Sequence, residues 1–352
     1  MSYANIETSI RCTAMARPIR TGKPDTIEAV ARAAGVSTMT VSRVLRGKEN
    51  VAEKTRERVL RAVEAIGYVP NRLAGALATS RSSHVAVIVP TLRNIVFPEV
   101  LAGIADTLEP TGLQPVIGIT EYDLTKERDL VRSMLAWRPV GFILANTTHL
   151  PETRRMLSRS SVPVVETMEL TPTPIDICVG LDQHEAGAVM GGYLIAKGYR
   201  HFGYLGADHA LDRAAARRFA GFAQAIDAEG GSIVATKTVR EPSGVGLGRN
   251  NLGALLADAP VVDAIYCSND AVAAGAMMHC LARGIAIPDD LALAGFGGLD
   301  LAASMPIPIT TVRSPRYRMG AVSAAGILAV VEGRETDRVT DTAFELVQAE
   351  SA

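Results

Sequence analysis

The sequence predicts an α-helical helix-turn-helix headpiece followed by an α/β core of two lobes, each built on a doubly wound parallel sheet. Three observations carry this expectation. Residues 25–70 hold short amphipathic strings separated by glycine and turn residues. From His84 onward, short apolar runs alternate with longer strings at helical spacing, and the cycle restarts near Asp182. Charge also changes sign along the chain. Residues 1–83 hold 14 Lys+Arg against 7 Asp+Glu, and the remainder holds 22 against 30, so a formal net charge of −1 hides a basic head on an acidic body. A basic head attracts phosphate through counterion release, and an acidic body confines that attraction to one end.

The Thr26 hydroxyl can cap a first helix by accepting from first-turn N–H groups. Ile27, Val30, Ala31 and Ala34 then form its apolar face, and Gly35 ends it. Ser37 caps a second helix, Thr38 to Arg46, with Val41, Val44 and Leu45 inward and Thr38, Met39, Ser42, Arg43 and Arg46 outward. A third helix is expected from Glu53 to about Ile66, packed through Val59, Leu60, Val63 and Ile66. Ala52 before it offers no side-chain acceptor. Two short helices across a glycine turn, the second starting with exposed hydroxyls and followed by arginines, describe a unit that enters a major groove.

The strings GVSTMTVSRVLRG, VAEKTRERV and GYVPNRLAGALA, in this order, closely resemble the DNA-binding end of the LacI family of bacterial repressors. The resemblance implies that Thr38, Met39, Thr40, Ser42, Arg43, Asn50, Tyr68, Asn71, Arg72 and Leu77 face double-stranded operator DNA. It also implies that Asn71–Ala78 is a hinge helix that forms on DNA, two of them from a homodimer lying in the minor groove. Leu77 matches a leucine that wedges between base pairs there, a device that unstacks a step and bends the duplex. Gly75 lowers the intrinsic helicity of this stretch by roughly 1 kcal/mol relative to alanine, as suits a marginal element.

Bulk properties narrow the rest. The chain has 352 residues, 48% hydrophobic but only 5% aromatic, so its core is expected to be mostly aliphatic. No stretch approaches the roughly 18 unbroken apolar residues that a bilayer span requires. Residues 1–22 lack an apolar run, so no secretory leader is expected, and residues 1–24 read as a disordered extension in which Met15 offers a second start. The four cysteines show no C-x-x-C spacing, and reduced thiols in a cytoplasmic protein are the default.

In the core, VAVIVP, QPVIGIT, VGFILAN and VPVVET read as strands with helices between them. After Asp182 the strands HFGYLGA, IVATKTV, DAIYCSND and finally DLALAGFG follow, again separated by helices. The resemblance continues through KGYRHFGYLG, CSNDAVAAGAM and PITTVRSPRYRMG, and implies a periplasmic-binding-protein-like core. The expected organisation is a headpiece at 25–70, a hinge and linker at 71–83, and a core at 84–352. Within the core, lobe 1 takes about 84–182 and 313–342, and lobe 2 about 183–312 and 343–352. The chain would cross between lobes near Asp182, Val312 and residue 342.

Ligands in such clamps sit at the carboxyl ends of the strands. Phe97 follows the first strand and can pack against a ligand or simply start a helix. Arg218 matches the family's effector-binding arginine and can fork two N–H donors onto a carboxylate or vicinal hydroxyls, with Arg213 or Arg217 as alternatives. Asn269 matches a ligand-binding asparagine, and Asp270 is expected to cap the following helix. Sugar-binding relatives commonly carry an aspartate where this chain has Gly297, and the missing carboxylate favours an anionic ligand. Glu166 is expected to face the same cleft and take hydroxyls. The strings STMTVSRVLRG, VPVVE, CSND, PDDLALAGFGG and RSPRYRMG resemble gluconate-operon repressors within the family, so a sugar acid such as gluconate is the expected effector. A neutral sugar, a purine, or a ligand of corepressor sign stay open.

Enzyme chemistry finds little support. The six histidines show no H-x-x-x-H or H-E-x-x-H spacing, there is no G-x-S-x-G elbow, and no metal or cofactor is expected. GVGLG at 244–248 lacks dinucleotide-binding spacing and reads as a flexible turn. A transporter's solute-binding module shares the clamp, but the headpiece argues against it. The end of the chain carries no heptad repeat, so a dimer is expected and a tetramer-forming coiled coil is not.

Overall fold

The computed structural model describes residues 26–45, 50–68, 82–93, 96–210 and 212–352. The extension at 1–24 and the hinge segment with Asn71, Arg72 and Leu77 lie outside the described residues. The chain forms two compact units, each taken by itself below.

The first unit packs α1 (Ile27–Ala34), α2 (Thr38–Leu45) and α3 (Glu53–Ile66). The Thr26 hydroxyl makes no cap bond to the helix backbone, contrary to expectation. Its carbonyl instead accepts from the N–H groups of Ala29 and Val30. Gly35 ends α1 at φ +60°, a left-handed conformation that costs glycine nothing, and the N–H of Val36 closes the turn onto Ala31. Ser37 Oγ does accept from the N–H of Thr40, at 3.2 Å. Val30, Ala34, Val41, Val44, Val59 and Ala62 make the buried centre. Leu60 is 49% exposed, because it lies about 100° around α3 from Val59, off the inward stripe.

The second unit contains two six-stranded sheets among the described residues. Sheet A is built from β1 (His84–Val89), β2 (Gln114–Ile119), β3 (Gly141–Leu144), β4 (Val164–Glu169), β5 (Ile177–Leu181) and β11 (Val339–Asp341), in the order β11-β5-β4-β3-β1-β2. Sheet B is built from β6 (His201–Ala207), β7 (Ser232–Val239), β8 (Ala264–Cys267), β9 (Ala292–Gly297), β10 (Thr310–Arg313) and β12 (Glu345–Val347), in the order β12-β10-β9-β8-β6-β7. The pairings are parallel except β10 with β12.

Period-two alternation fills both faces of each sheet. Val85, Val87 and Val89 of β1 enter one apolar cluster while Ala86 and Ile88 enter another. Ala264 and Tyr266 of β8 part from Ile265 and Cys267 in the same way. Helices α4 (Val96–Leu108), α5 (Leu124–Leu135) and α6 (Pro151–Arg159) accompany sheet A. With sheet B go α7 (Gln183–Ala196), α8 (Arg213–Ala228), α9 (Val245–Asp258), α10 (Asp270–Arg283) and the short α11 (Asp300–Ser304). Helix α12 (Arg316–Val331) packs on α4 and the sheet A strands.

Three connections therefore pass between the sheets: after β5, between β10 and α12, and between β11 and β12. DLALAGFG is not the final strand, since β10, β11 and β12 follow it, and ICVGL adds β5 before the first crossing. GVGLG is not a flexible turn. Gly244 is the N-cap of α9 and Val245–Gly248 its first turn. The glycines serve helix contact, because a Cβ on Gly248 would collide with the carbonyl oxygen of Val272 on α10, and one on Gly275 with that of Val245.

Candidate functional site: an exposed helix face and a cleft between two sheets

On helix α2, Thr38 and Arg43 are exposed and Met39 is 63% exposed, while Thr40 and Ser42 are half-buried. Arg43 Nη2 lies 3.6 Å from Met39 Sδ, one turn away on the same face. Asn50 is exposed. Tyr68 packs its ring partly against the headpiece core.

In the second unit, the strand ends of both sheets line one cavity. Phe97, Arg213, Arg218, Asn269 and Gly297 all border it, so five of the six expected effector residues converge. Glu166 does not. It is fully buried three residues before the end of β4, where Oε2 accepts from the N–H of Ile175 at 2.5 Å and Oε1 lies 3.3 Å from His149 Nε2. Glu169, the last residue of β4, lines the cavity instead. It accepts from the Thr147 hydroxyl, and its Oε2 pairs with Arg217 Nη1 of α8 at 2.9 Å, a link from sheet A to sheet B.

Arg218 is held from three sides. Nη1 donates to Gln183 Oε1 at 2.6 Å, Nη2 donates to the carbonyl of Ser268 at 3.0 Å, and the guanidinium carbon stands 3.8 Å over the Phe296 ring. The residue is only 6% exposed, and among the described residues Nε has no hydrogen-bond acceptor and no carboxylate pairs with the guanidinium; the Tyr266 hydroxyl nearby is neutral. An enclosed cation whose partners are all neutral lacks its counter-ion.

Asn269, not Asp270, caps α10: its Oδ1 accepts from the N–H of Val272 at 2.9 Å, and its Nδ2 donates to Ser243 Oγ at 2.6 Å. Asp270 sits inside the helix start and is fully buried, accepting from Thr311 Oγ1 at 2.6 Å and from the N–H of Leu299 at 2.7 Å. Burial pushes its carboxyl up, against the pull of these donors and of Arg316.

Gly297 has a backbone reason to lack a side chain. Its φ is +129°, and a Cβ there would stand 3.5 Å from Asp270 Oδ2. A second carboxylate in that place would meet both strain and a like charge. Its carbonyl accepts from Arg316 Nη1, while Nη2 of the same guanidinium donates to Glu99 Oε1 at 2.9 Å. Arg316, 4% exposed, and Gln183 are cleft residues that the sequence reading missed. The string RSPRYRMG contains the first, but nothing in its spacing distinguishes Arg316 from Arg318.

Comparison with known proteins agrees with both units. Residues 26–71 match the model of bacterial regulatory proteins of the lacI family, and residues 192–351 match a periplasmic binding protein-like domain. The HTH-type transcriptional regulator GntR of Pseudomonas aeruginosa is 38% identical over 336 residues, covering 94% of this chain and 96% of its own length. The regulator of the same name from Escherichia coli K12 is 35% identical over 92% of this chain and 97% of its own. A LacI-family transcriptional regulator from Silicibacter pomeroyi superposes with a TM-score of 0.89 at 39% identity, over 93% of this chain and 98% of that structure. With its helix-turn-helix and its two-sheet clamp, the chain belongs to the lacI family of bacterial regulatory proteins and is a DNA-binding transcriptional regulator, not an enzyme.

Proposed function

We propose that this chain is a cytoplasmic, homodimeric repressor released from its operator by a sugar acid bound between the two sheets, with gluconate as the first candidate. The observation that carries the reading is Arg218, an enclosed guanidinium with only neutral partners. A ligand carboxylate would supply the missing counter-ion through a charge-assisted fork. Asn269 and Glu169 offer hydrogen bonds to hydroxyls along the same cavity. The resemblance of VPVVE, CSND and RSPRYRMG to gluconate-operon repressors supports the same ligand class.

The ligand would act by changing how the two sheets sit across the three connections between them. Arg217–Glu169 and Arg316–Gly297 already tie the sheets beside the cavity, so a ligand placed among them biases one arrangement over another. A ligand that weakens operator binding by a given factor must bind the DNA-free protein better by the same factor. Titration calorimetry with gluconate and glucose tests the ligand class. Gluconate is expected to bind at least tenfold more tightly, and tighter binding of glucose, a purine or a phosphorylated sugar than of any aldonate or uronate would refute it.

A further inference from the structure

Behind the sheet A wall of the cleft lies a closed charge cluster. His149, in the loop between β3 and α6, has a side chain 1% exposed, and those of Glu127 on α5 and Glu166 on β4 are 0% exposed. His149 Nδ1 stands 2.7 Å from Glu127 Oε1, and Nε2 stands 3.3 Å from Glu166 Oε1. Two further groups face the cluster. Arg154 Nη1 of α6 is 3.9 Å from Glu166 Oε1, and Cys178 of β5 has a thiol that burial pushes up to about 11. Burial alone would lower the pKa of His149, but the contacts with Glu127 and Glu166 outweigh it and hold the imidazole up to about 9.

The second oxygen of Glu127 contacts a residue of the cleft wall. Oε2 accepts from Asn146 Nδ2 at 2.6 Å, and Asn146 lines the ligand cavity. A carboxylate offers only acceptors, so the amide must turn its NH2 toward Glu127. Asn146 Oδ1 is left buried and without a partner among the described residues. A buried carbonyl oxygen on a cavity-lining side chain calls for a donor, and a polyhydroxy ligand brings hydroxyl donors.

We propose that His149 is a positioning residue for effector recognition. Its imidazolium fixes Glu127, Glu127 fixes the Asn146 amide, and the cleft wall thereby presents an acceptor oxygen to a ligand hydroxyl. The ligand's identity rests on the sugar-acid reading above, but the relay of contacts does not. Arg218 then reads the carboxylate from the sheet B side while Asn146 reads a hydroxyl from the sheet A side.

The test has two arms on the full-length protein. In the first, histidine and asparagine side chains are labelled with 15N and followed by NMR without ligand. The Asn146 amide signals should shift in step with His149, with a midpoint near its pKa of about 9. Amide signals that ignore the His149 titration overturn the proposal, whatever the effector is. In the second, gluconate is titrated by calorimetry from pH 6.5 to 9.5. Wild type should hold its affinity to about pH 8 and weaken about threefold by pH 9.5, while His149→Gln should be about tenfold weaker at pH 7 and flat with pH. A folded His149→Gln protein with wild-type affinity and pH profile overturns the proposal. If gluconate fails to bind wild type, the sugar-acid reading falls and the NMR arm alone decides the relay. It also decides if His149→Gln does not fold.

Discussion

Replacing Arg218 by lysine keeps the charge and removes the fork. In the structure the guanidinium bonds Gln183 at 2.6 Å and Ser268 at 3.0 Å while stacking 3.8 Å over Phe296. An ammonium on a flexible stem cannot hold all three and still offer paired donors to a carboxylate. Two costs follow, and they appear in different measurements. Loss of the stacking is worth about 0.5–2 kcal/mol, and a buried acceptor left bare costs about 1–3 kcal/mol; both lower the thermal midpoint of the unliganded protein. Loss of one charge-assisted bond to the ligand costs about 1.5–3 kcal/mol, which raises the gluconate Kd about ten- to a hundredfold. Calorimetry at pH 7 with gluconate and with glucose separates recognition of charge from general damage to the cleft. Arg218→Lys binding gluconate as tightly as wild type would refute the anchor. So would an equal fold-loss for glucose, because a neutral sugar has no carboxylate to lose.

Arg43→Ala should remove about 1–3 kcal/mol of discrimination between operator and random DNA while leaving the fold intact. A gel shift with unchanged preference would show that α2 is not the reading helix. Gly248→Ala should destabilise the second unit by about 1–3 kcal/mol, because the added methyl meets the Val272 carbonyl where α9 and α10 touch backbone to backbone. An unchanged urea midpoint would contradict that close approach. His149 should make stability depend on pH. Its folded-state pKa, about 9, stands above its ordinary value of 6.5, so its contribution is complete below about pH 6.5 and is lost as pH rises through about 9. The urea midpoints of wild type and His149→Gln should therefore differ most near pH 6 and converge toward pH 10. A gap that stays constant over that range would mean that the imidazolium is not held by Glu127 and Glu166.

The β–α alternation and the clamp were legible because a strand buried on both faces reads as an unbroken apolar run, and VAVIVP and VGFILAN are such runs. That same double burial hides which polar residue of a strand reaches a ligand. Glu166 and Glu169 both lie in β4; Glu166 sits three residues inside the strand and is fully buried, while Glu169, at its end and next to the irregular Met168 (φ +88°), borders the cavity. Asn269 and Asp270 are both plausible caps on residue type. Thr311 and Leu299, distant in sequence, draw Asp270 inward and leave the cap to Asn269. GVGLG reads as a turn because it is glycine-rich and lacks dinucleotide-binding spacing, yet close backbone contact with α10 accompanies its place at a helix start. The His149 cluster left no local trace, since its three members come from a loop, α5 and β4.

If a sugar acid in the cleft controls operator binding, gluconate must loosen the protein from its DNA. The direct measurement is fluorescence anisotropy of the purified protein on an operator selected by the protein itself from random DNA, titrated with gluconate and, separately, glucose. Gluconate should raise the operator Kd at least tenfold in wild type, glucose should leave it unchanged, and Arg218→Lys should need about ten to a hundred times more gluconate for the same release. Operator binding that gluconate strengthens or leaves unaltered, or that glucose weakens just as well, would contradict that control.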